Sequence, residues 1–171
     1  DGVPQSIRLF RNEDIPVTVG LVVDHSGTMG PKLAEVTAAA RTFVRSSNPE
    51  DEMFVVNFNE DVTLGLAGMT RFTSSTVLLE SAIAAAPTGG QTALYDAIAK
   101  ALEVLQAGSR DKEVLIVVSD GGDNVSERSL DQVMKLAGQS SAVIYTIGVF
   151  DPDDPDRNPG VLKRLARETG G

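Results

Sequence analysis

The chain reads as an α/β fold: an open, doubly wound, mostly parallel central sheet with one antiparallel edge strand. Three observations predict it. The runs VTVGLVVD (17–24), EVLIVVSD (113–120) and AVIYTIGVF (142–150) are rich in β-branched residues and almost continuously apolar. That is the pattern of parallel strands buried on both faces by covering helices. Segments with helical spacing of apolar residues alternate with strand-like runs, as crossover connections require. Last, MFVVNFN (53–59) and VTLGLAGM (62–69) are separated only by Glu60-Asp61. So short a link forces antiparallel pairing, because a parallel crossover needs about a dozen residues or more.

Taken in order, the first strand (17–24) ends on Asp24, and Leu33, Val36, Ala40, Phe43 and Val44 mark one face of a helix over 31–46. The hairpin follows, then a helix over 76–86. Leu94, Ile98, Leu102 and Leu105 mark a helix over 92–106, entered from a Gly-Gly turn. The strand 113–120 ends on Asp120. Ser129 with Gln132 forms a capping box for a helix over 130–138. After the strand 142–150 comes DPDDPDRNPG (151–160), an acidic, proline-rich loop. Its Asn158-Pro159 supplies a cap and a first-turn proline for a helix over 159–168. With no internal repeat and no long linker, residues 1–171 read as a single domain with 1–14 as a lead-in.

Composition narrows the chemistry. A chain of 171 residues with 42% hydrophobic and 23% charged residues has enough apolar material for a core. Its net charge of −9 argues against nucleic acid or anionic lipid as partner, since both select a basic surface. Cysteine is absent and His25 is the one histidine, which excludes disulfides, thiolate zinc sites and multi-histidine centres. A metal here must be held by oxygen, hence a hard cation: magnesium first, with manganese or calcium as alternatives. No apolar stretch is long enough to span a membrane, so direct membrane insertion is not expected. The chain begins at Asp1 without a signal-like segment. It is expected to be a mature form or an excised domain, in an extracellular or periplasmic setting.

In open α/β sheets, ligands sit beyond the carboxyl ends of the strands, where the strand order reverses. Asp24 and Asp120 flank that point if the hairpin lies on one side of the first strand and the later strands on the other. Ser26 and Thr28 follow Asp24 at alternate positions in LVVDHSGTMG (21–30), and Thr92 begins a helix on the same rim. Each has an ordinary reading alone: Asp24 and Ser26 as helix caps, Thr92 as an N-cap, Asp120-Gly121 as a turn. Together, two carboxylates and three hydroxyls suit a magnesium-sized ion, which takes about six oxygens and keeps several waters. The hydroxyls are neutral, so the ion retains positive charge on its open side and attracts an external carboxylate. His25 alternates away from the ligands and is expected to be an exposed loop residue. Asp123 is expected to be a solvated turn residue near the metal, and the acidic stretch 151–156 a solvated loop overlooking the rim.

DHSGTM (24–29) resembles the Asp-x-Ser-x-Ser signature of the von Willebrand factor type A domain family, with Thr28 in the last place. GGQTALYDAI (89–98) is similar to that family's threonine loop, and LIVVSDGGDN (115–124) to its aspartate-bearing strand end. The similarity extends over nearly the whole chain. It implies a Rossmann-like fold carrying a metal-ion-dependent adhesion site. Ser26, Thr28 and Thr92 would contact the cation directly, Asp24 and Asp120 directly or through water. A Glu or Asp of a protein partner would complete the shell, so the implied role is recognition and not catalysis. Thr28 departs from the usual serine but keeps the oxygen. The family also continues into a last strand and helix, which are expected to be missing beyond RETGG (167–171).

A rival resemblance is to haloacid dehalogenase-like phosphohydrolases, whose first motif is a buried strand followed by Asp-x-Asp-Gly-Thr. Asp24 would then be a nucleophile forming an aspartyl-phosphate. The second acid of that motif is the general acid and base, and Ser26 stands there instead. A serine hydroxyl does not exchange protons near neutral pH as a tuned carboxyl does. Lys112, a candidate for offsetting phosphate charge, precedes its strand and lies at the opposite end.

Overall fold

The structure, a computed structural model, describes residues 15–66, 68, 71–151 and 153–171. The expected lead-in 1–14 lies outside them, as do Ala67 and Met69 of the expected strand 62–69 and Pro152 of the acidic loop. Five strands, β1 (Thr18–Asp24), β2 (Glu52–Phe58), β3 (Val62–Leu64), β4 (Glu113–Ser119) and β5 (Val143–Gly148), form one sheet in the order β3-β2-β1-β4-β5. Every neighbouring pair is parallel except β2–β3. The chain moves outward from β1 to β3, then crosses back to start β4 on the other side of β1. That reversal sets Asp24 and Asp120 at the carboxyl ends of adjacent strands.

The helices are α1 (Leu33–Ser46), α2 (Thr76–Ile83), α3 (Leu94–Leu105), α4 (Leu130–Gln139) and α5 (Pro159–Thr169). The two-residue period of the strands divides their side chains between two cores. Val19, Leu21, Val23, Met53 and Val55 pack with Val36, Ala40 and Val44 of α1 and Leu79 and Ile83 of α2. Val22, Phe54, Val56, Leu115 and Val117 pack with the buried faces of α3, α4 and α5. Gly20 sits under this second core. A Cβ there would lie 2.5 Å from both Leu115 Cδ2 and Phe54 Cζ, so its neighbours' side chains fill the space. The expected caps are present: Ser129 N–H donates to Gln132 Oε1 at 2.8 Å, and Asn158 Oδ1 accepts from Val161 N–H at 3.3 Å.

Four local expectations are corrected. The first helix is preceded by a 3-10 turn, Gly27–Lys32, and becomes α-helical only after Pro31, which lacks the N–H that an α-helix interior uses. The second helix ends at Ile83 instead of residue 86, where Ala84 leaves helical geometry. The edge strand β3 stops at Leu64, because at Gly65 the chain passes against α2: a Cβ there would lie 2.7 Å from the Ala82 carbonyl oxygen. Finally, β5 is not buried on both faces. Its position at the sheet edge leaves Tyr145 and Ile147 about half exposed. Among the described residues no helix is long and apolar enough to cross a membrane.

Candidate metal centre

Asp24 ends β1 fully buried, and both of its oxygens are engaged. Oδ1 accepts the Ser26 N–H at 2.8 Å, an Asx turn that folds the chain back over the strand end. Oδ2 accepts the Ser119 hydroxyl at 2.6 Å. The turn brings Ser26 Oγ to 3.2 Å from Thr28 Oγ1, which donates to Asp120 Oδ2 at 2.7 Å. Asp120 Oδ1 accepts the Gly122 N–H at 2.9 Å. Asp24, Ser26, Thr28 and Asp120 thus form one connected set across the β1–β4 switch point.

Thr92 joins through the backbone. Gly89 N–H donates to the His25 carbonyl at 2.9 Å and Gly27 N–H to the Gly90 carbonyl at 3.1 Å, laying the loop before α3 on the loop after β1. Thr92 N–H donates to Asn124 Oδ1 at 2.8 Å, and its carbonyl accepts the Asn124 and Val125 N–H groups. Thr92 is therefore buried between the two loops that carry the other four residues. Its hydroxyl makes no hydrogen bond to them among the described residues. Nor does it cap α3: the first-turn N–H groups of Tyr95 and Asp96 go to Asp123 Oδ1 and Ser126 Oγ, at 3.0 and 3.1 Å. Ser26 likewise makes no side-chain cap on the 3-10 turn.

The electrostatics suit a cation. Asp24 and Asp120 are 0% and 2% exposed, and no ion pair to Lys or Arg reaches either among the described residues. Burial pushes the Asp24 carboxyl up from 3.8 to about 6. Hydrogen bonds from Ser119 and Ser26 pull the other way, and the Asp120 charge adds to the rise. Uncompensated negative charge in a low-dielectric setting is costly, and a bound cation removes the cost. Carboxylate and hydroxyl oxygens are the ligands that magnesium, manganese or calcium take.

Two expectations fail here. His25 is 1% exposed, not a solvated loop residue. It does alternate away from Asp24 and Ser26, but the opposite direction is the interior under α2. Its Nε2 lies 3.1 Å from Asn57 Oδ1, and Asn57 Nδ2 donates to the Ala82 carbonyl at 2.7 Å. Burial pulls the His25 pKa below its ordinary value, favouring the neutral imidazole, against the hydrogen bond to Asn57. Asp123 is the part-buried cap of α3 and not a solvated turn residue; burial pushes its carboxyl up against the hydrogen bonds of Ser126 and Tyr95. The acidic loop does overlook the rim. Asn158 N–H donates to the Asp120 carbonyl at 2.9 Å, and Gly121, at φ +83°, lets the Asn158 carbonyl approach where a Cβ would collide. Inside that loop Asp151 and Asp154 accept the N–H groups of Asp153 and Asp156.

Sequence reasoning missed Ser119, Asn124 and Asn57. Ser119 carried a signal: a polar residue closing an apolar strand just before Asp120. The phosphohydrolase pattern fares no better in three dimensions than in one. Ser26 occupies the place of the second acid, and Lys112 lies at the far end, its carbonyl accepting the Thr18 N–H at the start of β1. Lys32, closing the 3-10 turn, has a buried Nζ without a hydrogen-bond partner, and no ion pair joins it to Asp24 or Asp120.

Comparison with known proteins agrees with this fold. A family model described as the von Willebrand factor type A domain matches residues 18–170. Inter-alpha-trypsin inhibitor heavy chain H2 of Mesocricetus auratus is 28% identical over 175 residues; the alignment covers 93% of this chain but only 18% of that protein. The chain thus spans less than a fifth of the curated relative's length. Among solved structures, the vWF domain of the type V pili tip protein Mfa5 from Porphyromonas gingivalis superposes with a TM-score of 0.74 at 15% identity, covering 91% of this chain and 88% of that one. A manganese-loaded TRAP protein from Plasmodium vivax superposes with a TM-score of 0.66 at 16% identity, covering 90% and 63%. At these identities the structural likeness speaks for the fold.

Proposed function

The chain belongs to the von Willebrand factor type A domain family, and from that premise we propose that it is a divalent-cation-dependent protein-binding domain, not an enzyme. Its metal is completed by an acidic side chain of the partner. The observation that carries this reading is the buried pair Asp24 and Asp120, linked through the Ser26 N–H on Asp24 and the Ser26 and Thr28 hydroxyls leading to Asp120, with no ion pair to a Lys or Arg among the described residues. Ser26, Thr28 and Thr92 would bind the ion directly, and Asp24 and Asp120 directly or through water. The ion supplies the Lewis acidity and positive charge that draw a carboxylate.

What the chain's own residues do follows from their partners. Ser119 and the Ser26 N–H hold Asp24 in one orientation, and Gly122 N–H does the same for Asp120. Neutral hydroxyls leave at most two protein charges against the ion's two. If either Asp acts through water, the rim stays electropositive locally on an otherwise acidic domain. A Glu or Asp of a partner protein matches that spot, and a polyanionic nucleic acid would meet the repulsion of the surrounding net charge of −9. Magnesium fits this oxygen set, with manganese and calcium as alternatives. An extracellular or periplasmic setting is part of the same proposal.

The test is a calorimetric titration with Mn²⁺ and Mg²⁺. One saturable site is expected in the wild type, and none in Asp120→Ala at an unchanged circular dichroism spectrum. A wild type without saturable heat would sink the reading. So would sustained hydrolysis of p-nitrophenyl phosphate that disappears in Asp24→Asn.

A further inference from the structure

Glu60 is the middle residue of the three-residue turn between β2 and β3, and the cation reading makes no use of it. Its exposed carboxylate nevertheless has a definite partner: Oε2 accepts the Gln91 N–H at 2.9 Å. The same carboxylate lies against the Cα of Gly90, in the space a Cβ would need, and Gly90 holds φ +80°. Two residues on, Ala93 N–H donates to the Asn59 carbonyl at 2.7 Å. The β2–β3 turn therefore grips the chain on both sides of Thr92.

Thr92 itself is tied in another direction, its N–H and carbonyl both going to Asn124. Successive amides at 91, 92 and 93 alternate between the β2–β3 turn and the loop after β4, so the backbone of Thr92 is braced between two anchors. A hydroxyl is a neutral, weak metal ligand, and magnesium-like ions demand near-ideal geometry. Such a ligand contributes only when the fold presents it already in place, since ordering it on binding would consume what the contact yields. The Asn59 tie is backbone and survives any substitution there. Glu60 supplies the side-chain tie on that side.

We propose that Glu60 is a positioning residue of the cation site, holding the Gly90-Gln91 backbone so that Thr92 is presented to the ion. The proposal rests on the cation reading above. Glu60 does not touch the ion; it acts through loop 89–93. Because Gln91 N–H needs an acceptor and not a charge, the amide oxygen of a glutamine serves in its place.

The test compares wild type, Glu60→Ala and Glu60→Gln by Mn²⁺ calorimetry and by amide hydrogen exchange in EDTA. Glu60→Ala is expected to weaken Mn²⁺ binding about tenfold, the lower end of the range for residues that orient metal ligands. Glu60→Gln is expected to stay within about twofold of wild type, since it restores the hydrogen bond. Exchange protection of the Gln91 amide should fall in Glu60→Ala and return in Glu60→Gln. Unchanged Mn²⁺ affinity in Glu60→Ala would overturn the proposal while leaving the cation reading intact. A Glu60→Gln variant as weak as Glu60→Ala would also overturn it, since the effect would then be one of charge. A wild type that binds no Mn²⁺ would remove the cation reading and the proposal together.

Discussion

Replacing Asp24 by Asn separates the charge of this carboxylate from its shape. Burial raises its pKa from 3.8 to about 6, so the folded protein holds this proton more tightly than the unfolded chain does. The stability that the proton contributes is fully present below about pH 3.8 and is lost as pH rises through about 6. At about 1.4 kcal/mol per pH unit, keeping Asp24 ionised and buried costs the metal-free fold about 3 kcal/mol near neutral pH. Asparagine has no charge to bury and keeps an acceptor for the Ser26 N–H. Its amide group facing Ser119 reverses that hydrogen bond, at a cost of about 1 kcal/mol. In EDTA near neutral pH, Asp24→Asn should therefore be about 2 kcal/mol more stable than wild type, a rise in Tm of about 4–8 °C for a domain of this size. Urea unfolding followed by circular dichroism over a pH series would measure it. The advantage should shrink on acidification and reverse near the ordinary carboxylate range. Adding Mn²⁺ should stabilise the wild type alone, because only a bound ion shifts the folding equilibrium. A variant less stable than wild type near neutral pH in EDTA, or a difference independent of pH, would refute the reasoning.

Two further outcomes follow from the same contacts. Thr92→Ala removes a hydroxyl that caps nothing, so Tm should move by no more than about 2 °C, while Mn²⁺ affinity measured by calorimetry falls about tenfold or more. Equal loss of stability and of affinity would assign Thr92 to the scaffold. Gly20→Ala puts a methyl 2.5 Å from Leu115 and Phe54 in the middle of β1, and urea unfolding should show a loss of about 1–3 kcal/mol; a neutral result would mean that the two side chains repack freely.

Much of this protein is local enough to be read along the chain. Continuous β-branched runs mark β1 and β4 as central strands, and a two-residue link cannot join parallel neighbours, so the hairpin follows from short stretches alone. The strand order, which the sequence left conditional, places Asp24 and Asp120 side by side at the carboxyl ends of β1 and β4, where ligands of such sheets gather. Tertiary structure decided what depends on residues far apart in sequence. The apolar run of β5 looks like that of β1, but only the strand order makes it an edge with Tyr145 and Ile147 exposed. Alternation could turn His25 away from Asp24 and Ser26, yet whether it meets water or protein depends on α2 packing over that side. Asp123 caps a helix that begins almost thirty residues earlier in the chain. Glu60 reads as a turn residue until Gln91 arrives at its carboxylate. In each case the side chain's chemistry is written locally, while its partner is chosen by chain segments that meet only when the sheet closes, and that meeting sets its burial and its role.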